Sequence, residues 1–202
     1  MRLLFASQNR HKMEEIKPLL PDSIELLCLG DLGYQDEIPE TSDTLRGNAL
    51  QKAQFIFDKF SSLLPALGVA GCFADDTGLE IEALDGRPGV YSARYAGENK
   101  SAADNINKVL AELEGEVNRA AIFKTVIALV GLGEPLFFEG IVKGIITKEK
   151  HGTSGFGYDP VFMPDGYNIT FAEMSLEQKN TLSHRGIAVR KFAGYLNMQS
   201  SK

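Results

Sequence analysis

Two hydrophobic periodicities occur along this chain, and they predict where helices and strands lie. Apolar residues recur at positions 45, 49, 50, 53, 56, 57 and 60, the spacing of one helix face. The short apolar run 3–7 is typical of a buried strand. Between these two segments, residues 9–20 also have helical apolar spacing, and Pro18 predicts an irregular end to that helix. The chain therefore begins with strand–helix alternation.

Later segments are richer in strands. The pattern predicts strands over 24–29, 69–74, 79–84, 119–132 and 135–147, with the last two forming a hairpin, and helices over 102–113 and 183–197. We expect a loop over 31–43 and a turn at Thr77 and Gly78. This order predicts an α/β fold with a mixed β-sheet and flanking helices. We expect one domain, residues 1–202, with two lobes around a central cleft.

Composition excludes several functional classes. The formal charge of −6 argues against a nucleic-acid surface, which needs a basic face. No apolar run is long enough for a membrane span, and the N-terminal apolar run is too short for a secretory signal. Cys28 and Cys72 are isolated, as in buried free thiols of a reducing compartment. We therefore expect a cytoplasmic protein without a structural zinc site, because none of its three histidines forms a ligand-like pair with a cysteine.

Two adjacent carboxylates, Asp75 and Asp76, follow an apolar strand. Side chains of neighbouring strand residues point to opposite faces, so only one of the two should enter a given pocket. Such a carboxylate could bind a divalent metal ion and orient a water molecule. Alternatively, both could cap a turn, as aspartates commonly do.

Cations stand at the start of two predicted helices, where they oppose the helix dipole. Residues 5–12, FASQNRHK, place Arg10, His11 and Lys12 in a first helical turn with Asn9 as a possible N-cap. Residues 183–185, Ser-His-Arg, repeat this arrangement at the last helix. Two such starts in an acidic protein suggest a concentrated anion such as a triphosphate.

Two further segments could contact a ligand. Asn48 and Lys52 lie four residues apart on one helix face, and Glu40 precedes this helix. In residues 155–160, GFGYDP, two glycines flank Phe156 and could expose its ring as a stacking surface for a base. An exposed helix face and a Gly/Pro turn are the ordinary alternatives.

Taken together, these segments resemble the inosine triphosphatase (HAM1-like) family of non-canonical purine nucleoside triphosphate pyrophosphatases. The resemblance is carried in order by S-x-N-x-x-K, E-T, N-A-x-x-K-A, F-A-D-D-T-G-L, P-G-V-Y-S-A-R-Y, G-F-G-Y-D-P and S-H-R. It implies an elongated two-lobed fold, commonly a homodimer. It also implies Mg²⁺-dependent hydrolysis of ITP, dITP and XTP to the monophosphate and pyrophosphate.

The resemblance also implies roles for individual residues. Asp76 matches the proton acceptor and a metal position, and Glu40 matches the other metal carboxylate. The implied substrate contacts are Thr77 next to Asp76, Ser7, Gln8, Asn9, Arg10, His11, Lys12 and Lys52 on the phosphate side, and Phe156, Gly157, Tyr158, Asp159, Lys179, His184 and Arg185 on the base side. Asp75 is left as a structural residue or a support for the site. Arg185 or a backbone N–H could select bases with a six-position carbonyl.

Three positions depart from the family pattern. Ser7 stands where many members have Thr, Gln8 replaces a common Gly, and Arg46-Gly47 interrupts a helix segment that is often acidic. Gly47 also lowers helix propensity. None of these changes removes a proposed catalytic group.

Rival functions remain open at this point. A Maf-like pyrophosphatase acting on pyrimidine or modified nucleotides would use similar chemistry. A regulator that binds nucleotides without turnover would not need the carboxylates at Glu40 and Asp76. A purely structural domain would not explain the two cationic helix starts.

Overall fold

The structure is a computed structural model that describes residues 1–200, so residues 201 and 202 of the predicted domain lie outside it. Its strands are β1 (Arg2–Phe5), β2 (Glu25–Cys28), β3 (Val69–Ile81), β4 (Pro88–Gly89), β5 (Ala120–Val130), β6 (Leu136–Ile146) and β7 (Phe162–Pro164). Its α-helices are α1 (Arg10–Ile16), α2 (Leu45–Lys59), α3 (Ala102–Glu112), α4 (Leu176–Leu182) and α5 (His184–Ser200). Over residues 1–200, no helix is long and apolar enough to span a bilayer.

The strands form one seven-stranded sheet in the order β2-β1-β3-β5-β6-β7, with β4 paired to β3. β1 runs parallel to β2 and β3, whereas β4 is antiparallel to β3 and β7 is antiparallel to β6. The sheet is therefore mixed and the α/β prediction is confirmed.

Contacts within the chain divide it into two compact units. Unit 1 comprises Met1–Asp76, Thr125–Gly140 and the chain from Arg185 onward, and unit 2 comprises Thr77–Lys124 and Ile141–His184. The predicted cleft stays a prediction.

Unit 1 has an apolar cluster on each face of β1, because successive strand residues point to opposite sides. Phe5 packs with Phe73 and Phe192, with 4.8 Å between the ring centroids of each adjacent pair, in a cluster that includes residues of α1 and α5. Leu4 belongs to the other cluster, which includes Ala53 of α2. Helices therefore cover both faces of the sheet in unit 1.

Unit 2 has an apolar core in which aliphatic side chains surround a group of packed aromatic rings. Phe123 packs edge-on against Phe162 with 4.8 Å between ring centroids, and Phe162 contacts Phe171 at 5.1 Å. Val109 of α3 is fully buried in the same cluster. The apolar periodicity that predicted a helix over 102–113 is the face that α3 buries here.

The predicted turn at Thr77 and Gly78 is wrong. The two strands predicted over 69–74 and 79–84 are one strand, β3, which continues through both aspartates to Ile81. Among residues 1–200, Gly78 is not one of the glycines with positive φ, so it does not use the conformation that a glycine turn requires. Thr favours strands, and neighbouring strands override the local turn signal.

The apolar pattern predicts no helix over residues 176–182, where the structure has α4. Ser175 caps α4 by accepting a hydrogen bond from the Gln178 N–H, at 3.1 Å. The Ser-x-x-Gln spacing is a helix-start signal that could have revealed it. At the other end of the chain, α1 gives way to a 3-10 turn at Lys17–Leu19, as Pro18 predicted.

Candidate active site

The alternation of β3 sends its two aspartates to different helices of unit 1. Phe73 and Cys72 belong to the opposite apolar clusters, so Asp75 follows Phe73 towards α1 and α5, and Asp76 follows Cys72 towards α2. β1 pairs with β3 only as far as Phe73, and beyond that point the chain leaves β1 and enters α1. Two separate charge clusters result.

The first, which we call the Asp75 cluster, consists of Lys12, Glu15, Asp75 and Arg185. Lys12 Nζ lies 3.0 Å from Asp75 Oδ1, and Arg185 Nε donates to Asp75 Oδ2 at 3.1 Å. Arg185 Nη1 also donates to the Glu15 carboxylate. The side chains of Asp75 and Arg185 are 0% and 2% exposed. Two cations thus face two carboxylates, and the cluster is formally neutral.

The same contacts account for the ionisation of this cluster. Burial by itself would raise the pKa of Asp75, but Lys12 and Arg185 hold it well below its usual range. The pKa of Arg185 is raised, because Glu15 and Asp75 outweigh the opposing effect of burial. Burial lowers the pKa of Lys12, although Asp75 opposes that shift. Asp75 is therefore held ionised by two cations, although within residues 1–200 its Oδ1 makes an ion pair with Lys12 and accepts no hydrogen bond.

The second, the Asp76 cluster, consists of Glu40, Lys52 and Asp76. Lys52 Nζ lies 2.5 Å from Glu40 Oε1 and 3.2 Å from Asp76 Oδ1. Asp76 Oδ2 is buried and, within residues 1–200, accepts no hydrogen bond. One cation faces two carboxylates, so this cluster keeps a formal charge of −1 and an acceptor oxygen without a donor.

In the Asp76 cluster the pKa values of the aspartate and the lysine are both raised, whereas those of Asp75 and Lys12 are lowered. Burial raises the pKa of Asp76 more than Lys52 and Lys12 lower it, and the nearby Glu40 adds to the rise. The pKa of Lys52 is also raised, because Asp76 and Glu40 outweigh the effect of burial. A carboxylate with a raised pKa beside a protonated lysine is suited to accept a proton at neutral pH.

The predicted phosphate loop, residues 7–12, is ordered by its own side chains. Asn9 caps α1 by accepting from the Lys12 N–H at 3.2 Å, and the Asn9 N–H donates to Ser7 Oγ at 3.2 Å. The N-cap prediction for Asn9 is therefore confirmed. Gln8 Nε2 donates to the Asp36 carbonyl at 3.0 Å, which ties this loop to the acidic loop that follows β2. Arg10 and His11 are exposed, and His11 pairs with Glu14.

Unit 2 brings several predicted base-side residues together. Lys179 Nζ lies 2.6 Å from Asp159 Oδ2, which also accepts from the Phe156 N–H at 2.7 Å. The Lys179 ammonium is 5.2 Å from the centre of the half-buried Phe156 ring. A Cβ at Gly155 would lie 2.1 Å from Asp159 Oδ2, and its φ of 74° favours glycine. Glycine at 155 thus permits this close approach.

The remaining predicted residues occupy different surroundings. His184 stacks on Phe123 with 4.5 Å between ring centroids, and Tyr158 is buried with its hydroxyl donating to the Ser92 carbonyl. Gly157 has a φ of 61° and follows Phe156 directly. Thr77 is the first residue of unit 2, immediately after Asp76. Tyr158 therefore contributes to the core of unit 2.

Comparison with known proteins identifies the family. The sequence pattern of the Ham1 family matches residues 3–195. The chain belongs to the Ham1 family. It is similar to a dITP/XTP pyrophosphatase of Flavobacterium johnsoniae, with 52% identity over 97% of this chain and 98% of the relative. A dITP/XTP pyrophosphatase of Porphyromonas gingivalis is 48% identical over 96% and 97% of the two chains.

Ham1 proteins of known structure share this fold. The Ham1 protein of Coxiella burnetii matches with a TM-score of 0.86 and 37% identity, covering 98% of this chain and 99% of its own. The Staphylococcus aureus Ham1 protein matches with a TM-score of 0.84 at the same identity, covering 98% and 100%. The family resemblance inferred from the ordered motifs is confirmed.

The Mg²⁺ ion implied by the Ham1 resemblance is compatible with the Asp76 cluster. Within residues 1–200, no group of three or more His, Cys, Asp or Glu side chains is arranged to hold a metal ion. Mg²⁺ usually keeps several waters and is held by one or two carboxylates together with substrate phosphates. Glu40 and the buried Oδ2 of Asp76 supply such a pair of carboxylates, and the cluster's negative charge favours a cation.

Sequence reasoning missed Glu15, which is 3% exposed and pairs with Arg185 from a position 170 residues away. Its spacing of three from Lys12 placed both residues on one helix face, but nothing in the sequence indicated the distant partner. Sequence reasoning also left Gln51 unused and gave Asn48 no partner. The role of these two residues depends on the path of the loop before α2.

Proposed function

We propose that this chain hydrolyses the non-canonical purine nucleoside triphosphates ITP, dITP and XTP to the monophosphate and pyrophosphate. The substrate assignment is supported by relatives named dITP/XTP pyrophosphatase at about half identity over nearly their full length. The observation that carries the chemistry is Asp76, a buried carboxylate of raised pKa with one oxygen unpartnered within residues 1–200.

In the proposed reaction, a water oxygen attacks the α-phosphorus and forms a new P–O bond. The bond from the α-phosphorus to the bridging oxygen of the β-phosphate breaks, and pyrophosphate leaves with that electron pair. Asp76 accepts the proton of the attacking water through its carboxylate and then releases it to solvent. Burial favours the protonated form of Asp76, which increases its affinity for that proton.

Lysines next to the two aspartates would stabilise the charge that develops on the phosphates. Lys52 is held by Glu40 and Asp76, and Lys12 is held by Asp75, so both ammonium groups are positioned before any substrate arrives. Preorganised cations of this kind contribute more than mobile ones, because they need no rearrangement during the reaction. We expect Ser7, Gln8, Asn9, Arg10 and His11 to add contacts to the phosphates.

Glu40 and Asp76 are the proposed ligands of Mg²⁺. Bound Mg²⁺ would neutralise phosphate charge and lower the pKa of a coordinated water. The protein's contribution is the pair of carboxylates and the lysine that keeps their repulsion small. Activity should therefore disappear in EDTA and return when Mg²⁺ is added.

The proposed base platform lies in unit 2. The Phe156 ring offers a stacking surface, and Lys179 and Asp159 supply charged polar groups next to it. Recognition of the carbonyl at position six of the purine needs a hydrogen-bond donor from the protein. Arg185 and backbone N–H groups are the predicted donors. Arg185 already donates to Asp75 and Glu15, so an effect of its mutation on substrate choice has to be separated from an effect on stability.

Product analysis over a panel of nucleotides tests the function. Pyrophosphate and phosphate release should be measured from ITP, dITP, XTP, GTP, ATP, dTTP and UTP, each with and without Mg²⁺. We expect pyrophosphate from the first three only, and only with Mg²⁺. Preference for dTTP or UTP would favour the Maf-like alternative, whereas release of phosphate would contradict attack at the α-phosphorus.

The homodimer and the cytoplasmic location are further proposals. The dimer is supported by the family resemblance, and the location by two free cysteines, Cys28 and Cys72. Light scattering coupled to size-exclusion chromatography measures the assembly directly. A mass near 22.1 kDa, that of one chain, would contradict the dimer.

A further inference from the structure

The loop that carries Glu40 is attached to α2 at three consecutive residues. Each residue of this short segment meets a different side chain of the helix, so the segment runs along the helix surface rather than touching it once. The attached pairs are Glu40 with Lys52, Thr41 with Gln51, and Ser42 with Asn48.

The central attachment is a double hydrogen bond. Gln51 Oε1 accepts from the Thr41 N–H at 2.9 Å, and Gln51 Nε2 donates to Thr41 Oγ1 at 2.8 Å. Both ends of one amide are therefore used on a single residue, which restrains its position and its rotation. Thr41 directly follows Glu40, and Gln51 directly precedes Lys52. The bond lies immediately beside the Glu40–Lys52 ion pair.

The third attachment depends on a glycine. Asn48 is 1% exposed, and its Oδ1 accepts from the Ser42 N–H at 2.9 Å. A Cβ at Gly47 would lie 1.9 Å from Ser42 Oγ and 2.7 Å from Ser42 Cβ. A Cβ on any other residue at 47 would therefore require the Ser42 side chain to move. The departure from the family pattern at Gly47 thus has a local steric reason.

From these contacts we propose that Gln51 and Gly47 are positioning residues for Glu40. Gln51 acts through Thr41, and Gly47 acts by leaving room for Ser42. Together they set the distance between the Glu40 and Asp76 carboxylates, and with it the affinity for Mg²⁺. The inference rests on the proposed function, since it concerns the metal carboxylates of that site. Residues that orient metal ligands in this way typically change metal affinity by about 10–100-fold when mutated.

A matched pair of variants tests Gln51. Gln51→Leu removes both hydrogen bonds to Thr41 while keeping a side chain of similar size. Gln54→Leu is the control, because Gln54 lies on the same helix and its Nε2 donates to Asp58 at 2.8 Å, away from the loop. We expect the Mg²⁺ concentration for half-maximal activity to rise by about tenfold in Gln51→Leu only.

Direct metal binding provides a readout that does not depend on turnover. Mn²⁺ binding can be followed by electron paramagnetic resonance in the presence of α,β-methylene ITP, which cannot be cleaved. Thr41→Val, which lacks the hydroxyl, should weaken Mn²⁺ binding less than Gln51→Leu does. Thr41→Ser keeps both hydrogen-bonding groups and should bind as the wild type does. A purely structural role of Gln51 would lower thermal stability and leave the Mn²⁺ affinity unchanged.

Gly47 has its own control. Gly47→Ala should weaken Mn²⁺ binding, because the added methyl group displaces Ser42. Gly194→Ala adds the same methyl group to α5, where the new Cβ would meet nothing within 4 Å beyond its chain neighbours and the backbone of its own helix, and should bind Mn²⁺ normally. Alanine favours helix over glycine at both sites, so helix propensity cannot produce the expected difference.

The outcomes separate this inference from the proposed function. Wild-type protein that releases no pyrophosphate from ITP, dITP or XTP, or binds no Mn²⁺, overturns both. Normal wild-type behaviour with equal metal affinity in Gln51→Leu and Gln54→Leu overturns only the inference. A selective loss in Gln51→Leu and Gly47→Ala supports it.

Discussion

The Asp75 and Asp76 clusters start from adjacent residues of one strand but have opposite electrostatic balances. Asp75 meets two cations, and its cluster is neutral and almost completely buried. Asp76 shares one lysine with Glu40, and its cluster retains negative charge and an oxygen without a donor inside residues 1–200. The comparison shows how strand alternation lets one dipeptide serve two purposes. The Asp75 cluster, the closed one, links α1 and α5 to β3, and we propose that the Asp76 cluster, the open one, serves the substrate and a metal ion.

The largest effects are expected from replacing each aspartate, because one substitution should remove activity and the other should lower stability. Asp76→Asn should reduce kcat/KM by about 10²–10⁴-fold, because the proton acceptor is lost, with little change in stability. Asp75→Asn should lower the free energy of unfolding by roughly 1–3 kcal/mol, because Lys12 and Arg185 lose a charged partner. Steady-state kinetics and urea unfolding on both variants measure the two losses. Equal losses of activity per folded molecule would show that both carboxylates take part in catalysis.

Removing Arg185, the cation that Glu15 and Asp75 share, is a more severe test of the Asp75 cluster. Arg185→Met should lower the free energy of unfolding by about 3–5 kcal/mol, since Glu15 and Asp75 would stay buried with Lys12 as the remaining cation. Arg190→Met is the matched control, because Arg190 is exposed on the same helix, and should change stability by less than about 0.5 kcal/mol. Similar urea midpoints for the two variants would refute the structural role of Arg185.

The proposed base platform around Phe156 in unit 2 allows nucleotide binding to be weakened without changing either aspartate. Phe156→Ala should raise KM for ITP by about tenfold with a smaller change in kcat, because stacking on one base contributes roughly 1–3 kcal/mol. Phe156→Tyr retains the aromatic face and should keep KM near the wild-type value. An unchanged KM in the alanine variant would remove Phe156 from the base platform.

The smallest expected effect concerns how folding stability depends on pH. Asp75 and Asp76 should contribute with opposite signs when stability is measured in EDTA. The lowered pKa of Asp75 contributes stability above the usual carboxyl pKa of about 3.9, and this is lost as pH falls through the folded value. The raised pKa of Asp76 destabilises the fold while that group is ionised, and the penalty disappears as pH falls from the folded value towards 3.9.

Urea unfolding of the wild type, Asp75→Asn and Asp76→Asn at several pH values isolates each contribution. The wild-type advantage over Asp75→Asn should stay constant down to about pH 3.9 and shrink as the pH falls further. The difference between wild type and Asp76→Asn should move in the other direction. Parallel pH curves for the two variants would contradict the opposite environments of the aspartates.

Local signals in the sequence predicted much of the fold. The apolar spacing from 45 to 60 matches α2, which ends at Lys59, and Asn9 caps α1 as expected. Strand alternation predicted that only one of Asp75 and Asp76 enters a given pocket, and the family resemblance implied that it is Asp76. The structure places the two side chains in separate clusters. These features depend on neighbours within a few residues, where periodicity and capping are informative.

Features that depend on distant partners could not be predicted. The two cationic helix starts suggested a triphosphate, but the structure shows that Lys12 and Arg185 already share an anion, Asp75. The Glu15–Arg185 pair joins residues 170 positions apart, which no periodicity reveals. The continuity of β3 through Gly78 was missed because strand pairing overrode a local turn signal.

The closed cluster also has a consequence for synthesis of the chain on the ribosome. Unit 1 is discontinuous, and its Asp75 cluster stays incomplete until Arg185, 110 residues after Asp75, has emerged. Contacts of such long sequence separation form late and slow down folding. A nascent chain that has made α1 and β3 therefore carries Glu15 and Asp75 without their shared partner, a mismatch that favours open conformations over premature packing. The ion pairs that Arg185 makes inside unit 1 therefore form only after the start of α5 has been made.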